Sequence, residues 1–282
     1  MKKILLVMEL VKFEHTLFAL PFAYMGAWLG AGGPPSLPVA LWILLAMVGA
    51  RTAAMTFNRL VDARIDAQNP RTRTRPIPSR RMGSMAAWTV WGMSVCLFFL
   101  AAYHLNTLAL LLSPLALLLI HFYSYTKRFT SASHLILGLS LAVAPIGGWI
   151  AVTGAMSWAS LFLGGGVLFW VAGFDCLYAC QDETFDRACG LHSIPARWGN
   201  PAAFRMARLS HFAAFFFFAL TGWVAHLGKF YFGGLFLVFL FLFIEHWIIS
   251  PRDLSRLETS FFTLNAAVSL ILFGATFLDF LC

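Results

Sequence analysis

Charged side chains are scarce in this chain of 282 residues. Asp, Glu, Lys and Arg make up 11% of it, whereas soluble domains carry about 25%. Hydrophobic residues account for 60%, and the mean hydropathy is +0.78. This composition excludes a soluble globular domain and indicates an integral membrane protein. The abundance of Phe and Trp supports the same interpretation, because lipid-facing and interfacial surfaces favour these residues.

The chain also lacks a zinc-binding cysteine pattern and the cleavage site of a signal peptide. The five cysteines show no paired spacing of the kind that binds structural zinc. We interpret Cys176 and Cys180 as small buried hydrophobes, although they stand four residues apart beside an acidic cluster. The N-terminal segment 1–15 carries charges of both signs and no small-residue cleavage site. We therefore expect it to form a retained cytoplasmic helix rather than a signal peptide.

Long apolar runs predict a bundle of membrane-spanning helices. Crossing the hydrocarbon takes about 20 apolar residues, and the charge-free runs 16–50, 82–126 and 129–174 are each long enough for two crossings. Turn-forming residues divide each of these runs near its middle. We therefore expect an all-α, polytopic membrane protein. Its helices, about nine in number, are predicted at 16–32, 38–62, 84–102, 107–124, 134–152, 158–180, 203–225, 230–249 and 260–279.

The distribution of basic residues predicts the orientation in the membrane. With the N-terminus in the cytoplasm, 19 of the 20 Lys and Arg lie in cytoplasmic segments or at the adjacent helix ends, and Lys229 falls outside. This asymmetry is typical of multi-pass proteins of the plasma (inner) membrane. It also accounts for most of the net charge of +8. We therefore expect anionic lipid and diphosphate as negative partners, with no nucleic acid and no obligate protein partner.

Half of the 12 acidic residues lie in two short clusters, which read Asn58-x-x-x-Asp62-x-x-x-Asp66 and Asp175-x-x-Tyr178-x-x-x-Asp182-x-x-x-Asp186. Each cluster contains Asp-x-x-x-Asp at the end of a long apolar stretch, and residues i and i+4 of a helix share a face. The two Asp pairs recur at an offset of 120 residues, which spans four predicted helices. We interpret the chain as a single domain over 1–282 built from a parallel repeat, with the clusters facing each other across a central cavity.

Carboxylates at the ends of membrane helices need a compensating partner, and we predict Mg²⁺ bound to a diphosphate. Mg²⁺ prefers oxygen ligands and typically takes one or two carboxylates together with phosphate oxygens and water. Asn58 offers another oxygen on the same face as the first Asp pair. Asp175 lies two turns before Asp182 and offers a deeper carboxylate. The alternative is ordinary pairing of these acids with nearby Arg side chains.

Basic and aromatic residues near the clusters are candidates for substrate contacts. Arg51 lies inside an apolar run on the helix face of the first cluster, where it can orient a phosphate oxygen. The alternative for Arg51 is snorkelling to the interface. Arg71 belongs to a dense basic cluster over 71–75, part of which the orientation alone explains. Lys127 follows Tyr125 in a segment that is also typical of an interfacial belt.

These parts suit the ionisation of an allylic diphosphate. Mg²⁺ and basic side chains stabilise a departing diphosphate, aromatic π faces stabilise the carbocation left behind, and a dry cavity protects it from water. An electron-rich aromatic acceptor then attacks. A transporter with the acids as a cation path is the main alternative, disfavoured because both clusters lie toward one membrane face. A structural protein leaves the matched acids unexplained.

The chain resembles the intramembrane aromatic prenyltransferases of the UbiA superfamily over nearly its whole length. The resemblance rests on the two acidic motifs and on Tyr125-Thr-Lys127-Arg128. It implies nine transmembrane helices around a central cavity, capped by cytoplasmic loops. The Mg²⁺ ligands it implies are Asn58, Asp62, Asp66, Asp182 and Asp186. The substrate contacts expected from motifs and resemblance together are Arg51, Asn58, Arg71, Tyr125, Lys127, Asp175 and Tyr178.

The resemblance also implies the substrates. Segments 12–23 and 190–197 are similar to a subgroup of bacterial 4-hydroxybenzoate polyprenyltransferases, which transfer a polyprenyl group from its diphosphate to an aromatic acid in quinone biosynthesis. The same subgroup resembles the prenyltransferase of the futalosine route to menaquinone, whose acceptor is 1,4-dihydroxy-6-naphthoate. Ubiquinone-type enzymes commonly have Asp directly after the first Asn of motif one, where this chain has Arg59. We expect 4-hydroxybenzoate as the acceptor, with the naphthoate as the alternative.

Overall fold

The computed structural model describes residues 2–12 and 16–282, and the regular structure within them is helical. The side chains of residues 2–4, 16–18 and 259–261 lie outside this description. The helices are α1 Lys2–Val11, α2 Thr16–Ala31, α3 Leu37–Val61, α4 Ala63–Gln68, α5 Ser84–Leu105, α6 Thr107–Thr126, α7 Ser133–Thr153, α8 Trp158–Ala179, α9 Glu183–Ala188, α10 Ile194–Trp198, α11 Asn200–Val224, α12 Lys229–Ile248, α13 Leu257–Thr259 and α14 Asn265–Leu281. A 3₁₀ turn, Cys180–Asp182, links α8 to α9, and a π-helical turn, Ser260–Leu264, precedes α14.

Eight helices in the described part of the chain are long and apolar enough to cross a membrane. They are α3, α5, α6, α7, α8, α11, α12 and the segment that ends with α14. This confirms the predicted all-helical membrane fold, with boundaries within a few residues of those expected. The first predicted crossing corresponds to α2, a helix of 16 residues that contains Pro21. The count of nine crossings and the cytoplasmic N-terminus stay predictions.

Helix α1 lies before the first predicted crossing and packs against the loop that follows α4. Leu10 and Val11 join a buried apolar cluster with Ile77 of that loop. Glu9 accepts hydrogen bonds from Arg81 at 2.5 and 2.7 Å. The predicted leader helix is therefore present over Lys2–Val11, while residues 13–15 lie outside the described residues. Its contacts hold the loop beside the first acidic motif.

Two glycines allow helix backbones to touch. A Cβ atom at Gly26 of α2 would lie 2.0 Å from the carbonyl oxygen of Pro145 in α7. One at Gly138 of α7 would lie 2.1 Å from the carbonyl oxygen of Leu168 in α8. Small residues at such crossings are typical of membrane helices, whose association depends on close packing. These contacts join α2, α7 and α8 into one wall.

The main apolar core lies between this wall and the C-terminal helices. Phe22, Trp170 and Phe218 are almost fully buried there. The ring of Phe22 stacks on that of Phe218 with centroids 5.7 Å apart, and such aromatic pairs add to the energy of area burial. Cys176 and Cys180 lie in a second buried apolar cluster, which confirms their interpretation as small hydrophobes. Side chains from α3, α6, α7 and α8 surround a cavity.

Candidate active site

A cavity of about 880 Å³ occupies the space between α3, α6, α7 and α8. Its wall is mainly apolar, with Met47, Leu119 and Phe174 among the lining side chains. Polar side chains line one end of the cavity, where the long helices α3 and α8 end and the short helices α4 and α9 follow. The predicted site residues that line it are Arg51, Asn58, Asp62, Asp66, Arg71, Lys127, Asp175, Tyr178, Asp182 and Asp186. The cavity thus brings together two motifs that are 120 residues apart in the sequence.

The first acidic motif is built at a break in the helix. Helix α3 ends at Val61, and Asp62 caps it with φ −92° and ψ 6° before α4 begins. The backbone still follows the i to i+4 pattern, because the amide of Asp66 donates to the carbonyl oxygen of Asp62 at 2.8 Å. Asn58 Nδ2 donates to Asp62 Oδ2 at 2.9 Å. Asp66, in α4, is buried, with 7% of its surface exposed.

The second motif repeats this construction. Asp182 ends the 3₁₀ turn with φ −102° and ψ 6°, and α9 follows over Glu183–Ala188. Helices α4 and α9 have six residues each and begin 120 residues apart. Asp66 in α4 and Asp186 in α9 are separated by the same 120 residues. The prediction that each Asp pair lies on one continuous helix is wrong in detail. The long helix ends before the first Asp of each pair, α8 being followed by a 3₁₀ turn that ends at Asp182, and a short helix carries the second Asp.

Each of the four motif carboxylates has a basic partner. Asp62 accepts from Arg128 Nη2 at 2.7 Å, and Asp66 accepts from Arg75 Nη1 at 2.8 Å. Lys127 Nζ lies 3.8 Å from Asp186 Oδ2. The fourth pair joins Asp182 to Arg71. Pairing with Arg, named above as the alternative to a metal site, is therefore present in the structure. The pairs nevertheless share one cavity rather than lying scattered on the surface.

Arg71 connects the loop after α4 to the second motif. Its Nε donates to Asp182 Oδ1 at 3.0 Å, and its Nη2 donates to the second oxygen of the same carboxylate. Its Nη1 donates to the hydroxyl of Tyr178 at 3.2 Å. Asn69, in the same loop, adds a hydrogen bond to Asp182 Oδ1 at 3.1 Å. A two-pronged guanidinium contact fixes direction as well as charge, so this loop is oriented over the cavity.

The carboxylate oxygens of the site suit a hard cation only when a bound substrate supplies further oxygen ligands. Within the described residues, no group of three His, Cys, Asp or Glu side chains is placed to hold a metal ion by itself. Asp186 Oδ2 is buried and accepts no hydrogen bond in that part of the chain, although Lys127 Nζ lies 3.8 Å away. A buried carboxylate oxygen without a hydrogen bond is costly, and a cation closer than this ammonium group would stabilise it. The oxygens therefore fit Mg²⁺ that brings water and phosphate oxygens with it.

The environment also affects Asp62, which lies just beyond the membrane-spanning part of α3. Burial raises the pKa of its carboxyl group above the ordinary value, against the opposing effect of the hydrogen bond from Arg128. Additional positive charge nearby would stabilise the ionised form of such a carboxylate. Asp62 is thus a group that a bound cation would favour in its ionised form.

Two predicted substrate contacts lie deeper in the cavity. Arg51 lines it, and its Nη2 donates to the carbonyl oxygen of Lys12 at 3.2 Å. Asp175 also lines it and forms a 2.6 Å contact with His134 Nδ1. No sequence motif marks His134, because its partner is 41 residues away along the chain.

The placement of Tyr125 differs from the expectation. Its side chain is 40% exposed and does not line the cavity, and its ring lies under the guanidinium of Arg128 at 5.3 Å. Tyr123 lines the cavity instead. The helical period predicts this placement, because Tyr123 lies four residues before Lys127 and therefore on the same side of α6.

Comparisons with known proteins agree with this arrangement. The sequence profile of the UbiA prenyltransferase family matches residues 19–267. The 4-hydroxybenzoate octaprenyltransferase of Nitrosospira multiformis is 29% identical over 256 residues, which covers 91% of this chain and 88% of that protein. An enzyme of the same name from Shewanella pealeana is 27% identical over 266 residues, covering 94% and 92%.

Solved structures share the fold. The apo structure of a UbiA homolog from Aeropyrum pernix K1 matches with a TM-score of 0.86 at 35% identity, over 94% of this chain and 98% of that one. A UbiA homolog from Archaeoglobus fulgidus bound to GPP and Mg²⁺ matches with a TM-score of 0.76 at 19% identity, over 98% and 100%. The family match contains both acidic motifs and most of the helices around the cavity. This chain is therefore a membrane-embedded member of the UbiA prenyltransferase family.

Proposed function

We propose that this protein transfers a polyprenyl group from an allylic polyprenyl diphosphate to 4-hydroxybenzoate in quinone biosynthesis, with Mg²⁺ required and diphosphate released. The observation that carries the proposal is the single cavity with two contrasting ends. Four Asp side chains and their basic partners meet at one end, and apolar side chains line the rest. A polyprenyl diphosphate has the same division between a charged head and an apolar tail.

The acidic end suits the diphosphate head. Mg²⁺ bound there supplies positive charge that neutralises the leaving diphosphate. Asp62, Asp66, Asp182 and Asp186 would hold the ion, with Asn58 as a further oxygen donor. Arg71 and Lys127 reach the same end of the cavity and can donate to phosphate oxygens once the carboxylates face the cation. The ion pairs between these basic residues and the carboxylates balance both sets of charges.

The apolar wall suits the transfer step. The C–O bond between the allylic carbon and the diphosphate breaks, and a ring carbon of the acceptor forms the new C–C bond. Phe174 and Tyr123 line the cavity and offer π faces to the positive charge that develops on the allylic group. The apolar lining disfavours water around that charge. The ring proton is lost at the end, so prenylated acid, diphosphate and one proton are the products.

The identity of the acceptor is supported by relatives rather than by cavity shape. Enzymes named 4-hydroxybenzoate octaprenyltransferase align over about nine-tenths of this chain. The location follows from the sequence pattern, since Lys and Arg concentrate on the side that holds both motifs. We place the protein in the plasma (inner) membrane with the acidic end of the cavity toward the cytoplasm.

An acceptor competition assay tests the proposal. Purified protein in nanodiscs receives Mg²⁺, a labelled polyprenyl diphosphate and equal amounts of 4-hydroxybenzoate and 1,4-dihydroxy-6-naphthoate, with EDTA in a parallel reaction. We expect labelled prenyl-hydroxybenzoate that forms only with Mg²⁺. Labelled naphthoate product would assign the menaquinone route instead. No Mg²⁺-dependent product with either acid would overturn aromatic prenyl transfer for this chain.

A further inference from the structure

A second cavity lies outside the site described above. Its volume is about 350 Å³, and the described residues that line it all belong to α11 or α12. None of them lines the larger cavity. Small-molecule pockets in proteins have volumes of about 300–1,000 Å³, so this pocket is large enough for part of an amphiphilic molecule.

The pocket is built from one face of each helix. On α11 the lining residues fall at positions i, i+3, i+4 and i+7, which share a helix face. They are Arg208, His211, Phe212 and Phe215. The same spacing recurs on α12, where it begins at Phe239 and ends at His246. Each helix thus presents aromatic side chains together with at least one basic or imidazole group.

The pocket has a polar end and an apolar end. Helices α11 and α12 are joined by the short segment 225–228 and run antiparallel. His211 Nδ1 lies 3.0 Å from His246 Nε2 at one end, and the rings of Phe215 and Phe239 meet at the other, with centroids 5.5 Å apart. The polar end therefore lies toward the start of α11 and the end of α12, which the predicted orientation places on the cytoplasmic side.

The polar end carries positive charge and an unsatisfied nitrogen. Arg208 is exposed and forms no hydrogen bond or ion pair with the described part of the chain. Nδ1 of His246 is buried and has no hydrogen-bond partner there. Such a buried polar atom indicates a missing ligand, and a guanidinium group suits a phosphate.

No described acidic side chain lines this pocket. Glu245 is buried, and its Oε2 lies 3.7 Å from His211 Nδ1, but it is not among the lining residues. The larger cavity differs in this respect, because four Asp side chains line its polar end. The second pocket therefore suits an anion that arrives without a divalent cation.

The rest of the pocket faces the lipid. Phe212 and Phe243 line it and are largely exposed on the outer surface of the helix bundle. Trp247, next to His246, is also exposed, and Trp is typical of the level of the lipid headgroups. The polar end thus lies at headgroup level and the aromatic side chains lie at the level of the acyl chains.

We propose that this pocket binds one anionic phospholipid, with its phosphate between Arg208 and His246 and an acyl chain against the Phe side chains of α11 and α12. Basic pockets between transmembrane helices on the cytoplasmic side bind anionic headgroups in this way. Snorkelling of Arg208 to the interface is the simpler alternative, but it leaves His246 Nδ1 without a partner.

The experiment is a lipid titration of the purified protein in detergent, followed by native mass spectrometry. The probes are dioleoylphosphatidylglycerol and dioleoylphosphatidylcholine, which share their acyl chains and differ in net charge. The variants are Arg208→Gln and the matched control Arg205→Gln, because Arg205 lies three residues earlier on α11, is also exposed and does not line the pocket. Melting temperatures without added lipid show whether each variant is folded.

We expect the wild type to bind one phosphatidylglycerol in preference to phosphatidylcholine. Arg208→Gln should lose about tenfold or more in affinity for phosphatidylglycerol, as for loss of a hydrogen bond between charged groups. Its affinity for phosphatidylcholine should be unchanged, and Arg205→Gln should behave as the wild type does. These measurements involve no prenyl transfer, so their outcome is independent of the proposed function.

Equal affinity of the wild type and Arg208→Gln for phosphatidylglycerol would overturn the inference. An equal loss in Arg205→Gln would indicate general attraction to a basic surface and overturn it as well. Inorganic phosphate or geranyl diphosphate added in competition should leave the bound phosphatidylglycerol in place. Its displacement by either one would assign the pocket to a free anion or to the prenyl substrate instead.

Discussion

Replacing Arg71 with Gln should loosen the second acidic motif. Arg71 contacts both oxygens of Asp182 and the hydroxyl of Tyr178, so one change removes three hydrogen bonds. Asp182 stays buried after the change, with a side chain that is 9% exposed. The hydrogen bond from Asn69, at 3.1 Å, remains to compensate its charge.

The size of the effect follows from the burial of the two partners. Removing one partner of a fully buried ion pair costs about 3–5 kcal/mol. The Arg71 side chain is 32% exposed, and water then takes over part of its role, so we expect about 2 kcal/mol. A change of 1 kcal/mol moves the melting temperature of a chain of this size by roughly 2–4 °C. The expected decrease is therefore about 4–8 °C.

The assay is thermal unfolding of the purified protein in detergent, without substrate. Arg73→Gln is the matched control, because Arg73 lies in the same loop, is exposed, and forms no ion pair within the described residues. Arg71→Lys should fall between the two, since Lys keeps the charge but not the two-pronged geometry. Equal melting temperatures for the Arg71→Gln and Arg73→Gln variants would refute the conclusion that this ion pair holds the loop over the site.

Two further changes test the packing and the orientation. Gly26→Ala should lower the melting temperature by an amount that corresponds to about 1–3 kcal/mol of overpacking, because the new methyl group would meet Pro145, whereas Gly92→Ala has open space around its Cβ and should not. In single-cysteine variants, a membrane-impermeant maleimide should label exposed Cys189 from the cytoplasmic side and exposed Cys282 from the opposite side, since α11, α12 and α14 lie between them. Labelling of both from one side would contradict the predicted crossings.

The membrane helices could be predicted because hydrophobicity decides them almost alone. Runs without charge must cross the bilayer as helices, since backbone groups in lipid have no other partners. Turn-forming residues, such as Gly32, Gly33 and Gly154, then mark several of the boundaries, which explains why the observed helix ends lie close to those expected.

The acidic site was only partly predictable. The spacing of Asp62, Asp66, Asp182 and Asp186 identified the site, because a repeated motif at one offset is rare by chance. The breaks in the helices were not foreseen, since the i to i+4 spacing is the same across the break. The sequence also does not show which Arg pairs with which Asp, because the fold of the loop after α4 decides that Arg71 reaches Asp182 and Arg75 reaches Asp66.

Aromatic and histidine contacts show the same limit. Tyr123 and Tyr125 have similar surroundings in the sequence, and only the helical face distinguishes the one that lines the cavity. His134 contacts a residue on another helix and the backbone of a third segment. Such contacts between distant segments leave no local pattern, so sequence periodicity cannot reveal them.

The central claim is that both acidic motifs act together on one Mg²⁺–diphosphate group. Its most direct test is Mg²⁺-dependent diphosphate release and prenyl transfer by Asp66→Asn and Asp186→Asn, one variant from each motif, with Glu183→Gln as control. Glu183 belongs to the second cluster but pairs with Arg187 and does not line the cavity. We expect each Asp variant to lose about 100-fold or more in rate, while the control keeps its activity. Full Mg²⁺-dependent activity in either Asp variant would contradict the claim.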